Sequence, residues 1–150
     1  MKVGDQIEDF TLPDEQGRPV TLSELWAGGP VVLFFYPAAM TSGCTAEACH
    51  FRDLAGEFAA HGAARVGISA DGVDKQQSFS ALHSFDYPLL SDAERTVARR
   101  FGVRRSFGPL TTKRWTFVIG RSGRLLEVIK SETRMNRHAD RALEVLAAYR

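Results

Sequence analysis

Two cysteines stand five positions apart in the stretch Phe34-Phe-Tyr-Pro-Ala-Ala-Met-Thr-Ser-Gly-Cys-Thr-Ala-Glu-Ala-Cys49, and the chain has no others. Cysteine is a nucleophile as its thiolate, a form favoured by a helix N-terminus or a nearby cation. Cys44 follows an apolar run and Pro37, behind Gly43 and close to Thr41. The first turn of a helix leaves backbone N–H groups unpaired, and these would point at a sulfur placed there. Gly43 lets the backbone come close, and the Thr41 hydroxyl can donate to or accept from whatever sits beside the sulfur. A lone buried cysteine is usually a small hydrophobe. A cysteine at a helix start, behind glycine and near threonine, fits a functional thiol better. The Cys44/Cys49 spacing lacks the close ligand pairs of zinc sites. Of the histidines at 50, 61, 83 and 138, only His50 is near in sequence. It is a candidate general base for the thiol, but six positions along a helix point it to another face.

The elements that must hold these residues can be read from the pattern. Val31-Val-Leu-Phe-Phe-Tyr36 is a continuous apolar run, as expected of a central strand buried on both faces. Pro37 ends it, because proline cannot donate to a ladder. A helix is predicted over 42–60, with Phe51, Leu54, Ala55 and Phe58 as one apolar stripe, and Gly62 stopping it. Residues 64–69 read as a strand and 73–85 as a helix with Phe79, Leu82 and His83 on one side. Residues 87–90 read as a short strand and 92–101 as a helix capped by Ser91 or Asp92. Arg114-Trp-Thr-Phe-Val-Ile119 and Arg124-Leu-Leu-Glu-Val-Ile129 are strands joined by the turn Gly120-Arg-Ser-Gly123. A closing helix over 137–149 turns Ala142, Val145 and Leu146 inward. Ahead of all this, Phe10–Pro13 and Arg18–Leu22 form a hairpin with its turn at Gly17. Strands alternating with helices, then a hairpin, then a helix, give an α/β fold with a mixed sheet. The parallel pairs are expected in its middle and the last hairpin at one side. In such sheets a reactive site belongs where a strand's carboxyl end meets a helix N-terminus, which is where Pro37–Cys44 falls.

Composition agrees with one domain over 1–150. The chain is 44% hydrophobic and 25% charged with a formal net charge of +1. Those values argue against disorder, collagen and coiled coil. No run approaches the ~18 apolar residues of a membrane span. The acidic start, Met1–Phe10, does not read as a secretion signal. Two cysteines are too few for a disulfide scaffold. The charges are uneven: residues 1–75 carry 5 Lys+Arg against 11 Asp+Glu, and residues 76–150 carry 14 against 7. Arg99-Arg100 and Arg104-Arg105 lack the interleaved aromatics of a nucleic-acid platform. The charges read as solvated faces of one domain, with no nucleic acid and no membrane as partner.

Pro37-x3-Thr41-x2-Cys44 resembles the active-site signature of the peroxiredoxins, thiol peroxidases on a thioredoxin-like fold. A second cysteine five positions on, with Glu47 and Phe51-Arg-Asp53 around it, resembles the bacterioferritin comigratory protein branch, also called PrxQ. The likeness runs from Val3-Gly-Asp5 and Phe10–Pro13 through Tyr87–Asp92 to Arg114–Ile119. It departs at Ser42, where the branch usually has proline, and at Gly120, where aspartate is usual. The resemblance implies that Cys44 is the peroxidatic and Cys49 the resolving cysteine. It further implies that Arg114 is the active-site arginine, that Pro37 shields the sulfur and that Thr41 bonds the peroxide. Backbone N–H groups of Gly43 and Cys44 would add neutral donors where negative charge develops on the peroxide oxygens. The implied product is a sulfenic acid, which condenses with a thiol. No metal or organic cofactor is implied.

The expected function is reduction of hydrogen peroxide or alkyl hydroperoxides, with an external dithiol such as thioredoxin reducing a Cys44–Cys49 disulfide in the cytoplasm. A peroxide sensor that passes its oxidation to a protein partner is the alternative. A thioredoxin-like disulfide reductase is a third, disfavoured by the absence of Cys-x-x-Cys. Members of the branch are often monomers, which sets the expected state. Phe107 and Leu110 are ambiguous as interface residues.

Overall fold

The computed structural model describes residues 1–105 and 112–149. Phe107 and Leu110 lie outside the described residues. The chain opens with the expected hairpin, β1 (Thr11–Pro13) and β2 (Pro19–Thr21), paired antiparallel. The Asp14 carboxylate accepts from the backbone N–H groups of Gln16 and Arg18 and closes the turn between them. A short helix, α1 (Leu22–Ala27), leads to β3 (Val31–Phe35), all five of whose residues are buried. There follow α2 (Ser42–Asp53), α3 (Ala55–Ala60), β4 (Ala64–Ser69), α4 (Val73–His83), β5 (Leu89–Ser91) and α5 (Thr96–Arg100). After these come β6 (Trp115–Ile119), β7 (Leu125–Lys130) and α6 (Met135–Ala148).

The main sheet has the order β5-β4-β3-β6-β7. β3 is central, as its unbroken apolar run demands. The parallel strands β5, β4 and β3 fill one half and the antiparallel strands β6 and β7 the other. The parallel pairs are thus not flanked on both sides. The final hairpin lies at one side, as expected, docked on the edge of the parallel block where β6 pairs with β3 over Val31–Phe34.

Strand side chains alternate between faces. Val31, Leu33 and Phe35 enter one core with Leu22 of α1 and Val97 and Ala98 of α5. Val32 and Phe34 enter the other with Cys44, Ala48 and Phe51 of α2, Phe79 of α4, and Ala142 and Leu146 of α6. The sheet is therefore covered on both faces. Phe34 stacks nearly parallel on Phe51 with ring centroids 4.3 Å apart, which fixes α2 against the central strand.

Several elements depart from the sequence reading for definable reasons. The helix expected over 42–60 is two helices broken at Leu54. The buried Arg65 guanidinium donates to the Phe51 carbonyl at 2.8 Å, occupying an acceptor that a continuing helix would use for itself. On α4, Phe79 is buried but Leu82 is 67% exposed. Gln76 takes the inward place, since its amide donates to Ser69 Oγ and the Leu90 carbonyl, both at 2.9 Å. α5 is shorter than expected, yet the Asp92 carboxylate does accept from the N–H groups of Val97 and Ala98. In the turn between β6 and β7, Gly123 has φ +83, and a Cβ there would meet Gln6 and Trp26 within 2.9 Å. The acidic and basic halves interleave, with Glu8 against Arg100 and Glu47 against Arg114. No helix among the described residues is long and apolar enough to cross a membrane.

Candidate active site

The segment after β3 is held by side chains from the neighbouring strand end. Pro37 is buried at the point where the ladder stops. The Asp71 carboxylate, just past β4, accepts from the Ala39 N–H at 2.7 Å and from Ser69 Oγ at 2.7 Å. Met40 sits at φ +69, an uncommon conformation for a side chain with a Cβ. Thr41 then starts α2 from an extended conformation. Its hydroxyl donates to the Ala38 carbonyl at 2.7 Å, so the group that the sequence places beside the sulfur also ties the loop to itself.

Cys44 is the third residue of α2 and is 1% exposed. The N–H groups of Ser42, Gly43 and Cys44 precede the helix's first bond, from the Thr45 N–H to the Thr41 carbonyl. Arg114 lies immediately before β6, in the segment that faces this turn. Its Nη2 donates to Cys44 Sγ at 3.3 Å and its Nη1 to Glu47 Oε1 at 2.8 Å. Its backbone N–H donates to Glu132 at 3.0 Å, which holds the segment in place from the far side. A Cβ at Gly43 would come within 3.2 Å of Arg114 Nη2 and 3.4 Å of Met135. Glycine leaves the guanidinium room to pass over the backbone, whereas a larger residue would have to push it aside by a few tenths of an ångström.

The sequence reading noted Glu47 but gave it no role. It is fully buried, and its Oε2 has no hydrogen-bond partner among the described residues. Burial pushes its carboxyl up to about 8 against the pull of Arg114. Behind it, 3.6 Å from Oε2, lies Nε2 of His138, another buried residue the reading missed. Nε2 faces the Ser131 carbonyl at 2.8 Å, and Nδ1 faces Thr116 Oγ1 at 2.7 Å. A carbonyl only accepts, so Nε2 carries the proton and Nδ1 accepts from the threonine. The ring is neutral, and burial draws it down to about 4. It joins α6 to the strand that follows Arg114. α6 starts at Met135, two residues earlier than expected.

Cys49 is part-buried, on the helix side away from Cys44, and both thiols are free. Burial raises its thiol above the ordinary range. Between the cysteines Thr45 is half-buried and Ala46 exposed, but Glu47 and Ala48 are fully buried. His50 does not serve the thiol. Its Nε2 pairs with Asp140 of α6 at 2.7 Å, on another face of α2.

The arrangement places a thiol among unpaired backbone N–H groups and a fixed cation. Such donors stabilise charge as it develops in a transition state. Comparison with known proteins agrees with that chemistry. The AhpC/TSA family matches residues 3–128. The crystal structure of the peroxidoxin BcpB of Mycobacterium tuberculosis superposes with a TM-score of 0.95 at 58% identity, covering 100% of this chain and 99% of that one. The bacterioferritin comigratory protein of Xanthomonas campestris, described for alkyl peroxide reduction, superposes with a TM-score of 0.85 at 32% identity, covering 93% and 91%. The chloroplastic peroxiredoxin Q of Sedum lineare is 38% identical over 137 residues, 91% of this chain and 73% of that protein. With its thiol, arginine and mixed thioredoxin-like sheet so arranged, the chain belongs to the AhpC/TSA family, among the peroxiredoxins of the bacterioferritin comigratory protein and PrxQ branch.

Proposed function

We propose that this peroxiredoxin reduces hydrogen peroxide and alkyl hydroperoxides through Cys44, with Cys49 resolving and thioredoxin or a similar dithiol returning the enzyme to its reduced form. The Cys44 thiolate attacks the terminal peroxide oxygen. The O–O bond breaks, the sulfur becomes a sulfenic acid, and the leaving alkoxide or hydroxide takes up a proton. Cys49 then attacks the Cys44 sulfur, and water departs as the disulfide forms. Two electrons from the external dithiol restore both thiols.

One observation carries this reading: Arg114 Nη2 donates to Cys44 Sγ at 3.3 Å inside a buried site. A permanent cation and planar donor fork at that place favour the thiolate and the charge that spreads onto the peroxide oxygens. Pro37 covers the start of the site, and the N–H groups of Gly43 and Cys44 supply neutral donors. Thr41 orders the loop and offers its oxygen to the substrate. A cytoplasmic setting suits a cycle that begins with two free thiols.

The test is a coupled assay with thioredoxin, its reductase and NADPH across hydrogen peroxide and several alkyl hydroperoxides. Steady peroxide-dependent oxidation of NADPH supports the reading. Stoichiometric oxidation without turnover by any dithiol overturns it.

A further inference from the structure

Glu47 lies between the two cysteines, on the segment that must rearrange if they are to bond. It is a fully buried acid with one oxygen held by Arg114 and the other without a partner among the described residues. Replacing such a group by its neutral amide keeps its size and its acceptor for Arg114. We propose that Glu47 is a positioning residue for α2: its exposure to water helps the helix open so that Cys49 can reach the Cys44 sulfenic acid. The inference rests on the reading of Cys49 as the resolving cysteine.

The physics is that of a carboxyl whose two environments differ. In the closed helix, burial disfavours its charge, and a buried oxygen without a donor is costly. In the unwound segment it meets water, ionises freely and loses its proton. The charged groups facing it are Arg114, before β6, and Glu132, beyond β7, the latter working against its ionisation. From α6 it meets the neutral His138, and the buried Tyr87 lies near enough to feel its charge. Burial holds the Glu47 carboxyl near 8 when closed, against an ordinary value of 4.5. Opening therefore releases a proton between those limits and becomes easier as pH rises through them. The reaction it assists is balanced: the Cys44 sulfenic acid and the Cys49 thiol give a disulfide and water.

The experiment compares the parent with Glu47→Gln in stopped flow, following sulfenic acid formation and disulfide formation as separate phases. Cys49 must ionise in both proteins, so the ratio of their resolution rates isolates Glu47. The parent is expected to resolve faster, with the ratio climbing at least about tenfold from pH 5 to pH 8 and levelling above. A ratio that stays flat, or a Glu47→Gln protein that resolves as fast as the parent, overturns the proposal. Hydrogen exchange in Cys44→Ser decides the matter without the disulfide. The opening equilibrium of the amides of residues 44–49, corrected for intrinsic exchange, should grow over the same pH range, and a constant value overturns the proposal. Failure of the parent to form a Cys44–Cys49 disulfide, read by peptide mass, would instead remove the resolving role of Cys49.

Discussion

Arg114 spans one turn of α2, with Nη2 on Cys44 Sγ at 3.3 Å and Nη1 on Glu47 Oε1 at 2.8 Å. A single planar cation thus ties the Cys44 thiol to the residue three positions on. A lysine cannot do this, since its ammonium is one point of charge on a flexible stem. Arg114→Lys is expected to slow Cys44 oxidation by about 2–4 kcal/mol of transition-state stabilisation, the scale of one lost oxyanion donor. Stopped-flow oxidation at the parent's rate would remove Arg114 from the chemistry.

Cys44→Ser is expected to abolish peroxide reduction, because a neutral hydroxyl is a poor nucleophile at this position. Cys49 remains in that protein, so it also asks whether the second thiol can act alone. Residual turnover within about tenfold of the parent's would displace Cys44 from its role.

Much of the framework for these residues was legible in the sequence. The Val31–Phe35 run marked the central strand because burial on both faces leaves no room for polar alternation. The spacing of Pro37, Thr41 and Cys44 located the site because strand end, cap and first turn occur at fixed distances. Arg114, 70 residues from Cys44, came from family likeness alone, since nothing local distinguishes it from a surface charge. Glu47 and His138 escaped because long-range packing decides their burial. On a helix, a glutamate two residues from a cysteine reads as a solvated charge until Arg114 arrives from another strand. Gln76 takes an inward place and Leu82 loses its expected one for the same reason, since hydrogen bonds to Ser69 and Leu90 reward a buried amide. The break at Leu54 was hidden too, because the Arg65 that takes the Phe51 carbonyl comes from β4.

His138 gives a pH dependence of stability. Its folded value is depressed to about 4 from 6.5. A depressed histidine contributes stability that is present above 6.5 and lost as pH falls through 4. Glu47 is raised, so its contribution is present below 4.5 and lost as pH climbs through 8. Between 4.5 and 6.5 the two oppose one another, and the parent's own curve hides both. The difference between His138→Gln and parent isolates the imidazole. That variant is less stable at neutral pH, and the gap should narrow by about 3 kcal/mol as pH drops from 6.5 to 4. A gap independent of pH in denaturant titrations would contradict this.

The last prediction concerns the shape of the oxidised protein. With both thiols free, α2 runs unbroken through Cys49 to Asp53. Five residues of ideal helix rise ~7.5 Å and turn about 140° past one revolution, which puts the two Cα atoms ~8.6 Å apart. A disulfide tolerates about 7 Å at most. The bond and the intact helix exclude one another, so the first turns must unwind for the proposed disulfide to form. Unwinding has a stop. The Tyr87 hydroxyl donates to the Ala48 carbonyl at 2.7 Å, Arg65 holds the Phe51 carbonyl, and the Phe51 ring is stacked on Phe34. These contacts come from β4, β3 and the approach to β5, none of which the disulfide disturbs. The opening should therefore run from Ser42 toward Cys49 and leave the turn at Phe51 in place. It must also strip Arg114 of both its α2 partners, so the disulfide form should bind peroxide poorly until a dithiol restores the helix. A crystal or NMR structure of the disulfide form with a regular helix from Cys44 to Cys49 would refute this, as would Phe51 displaced from Phe34.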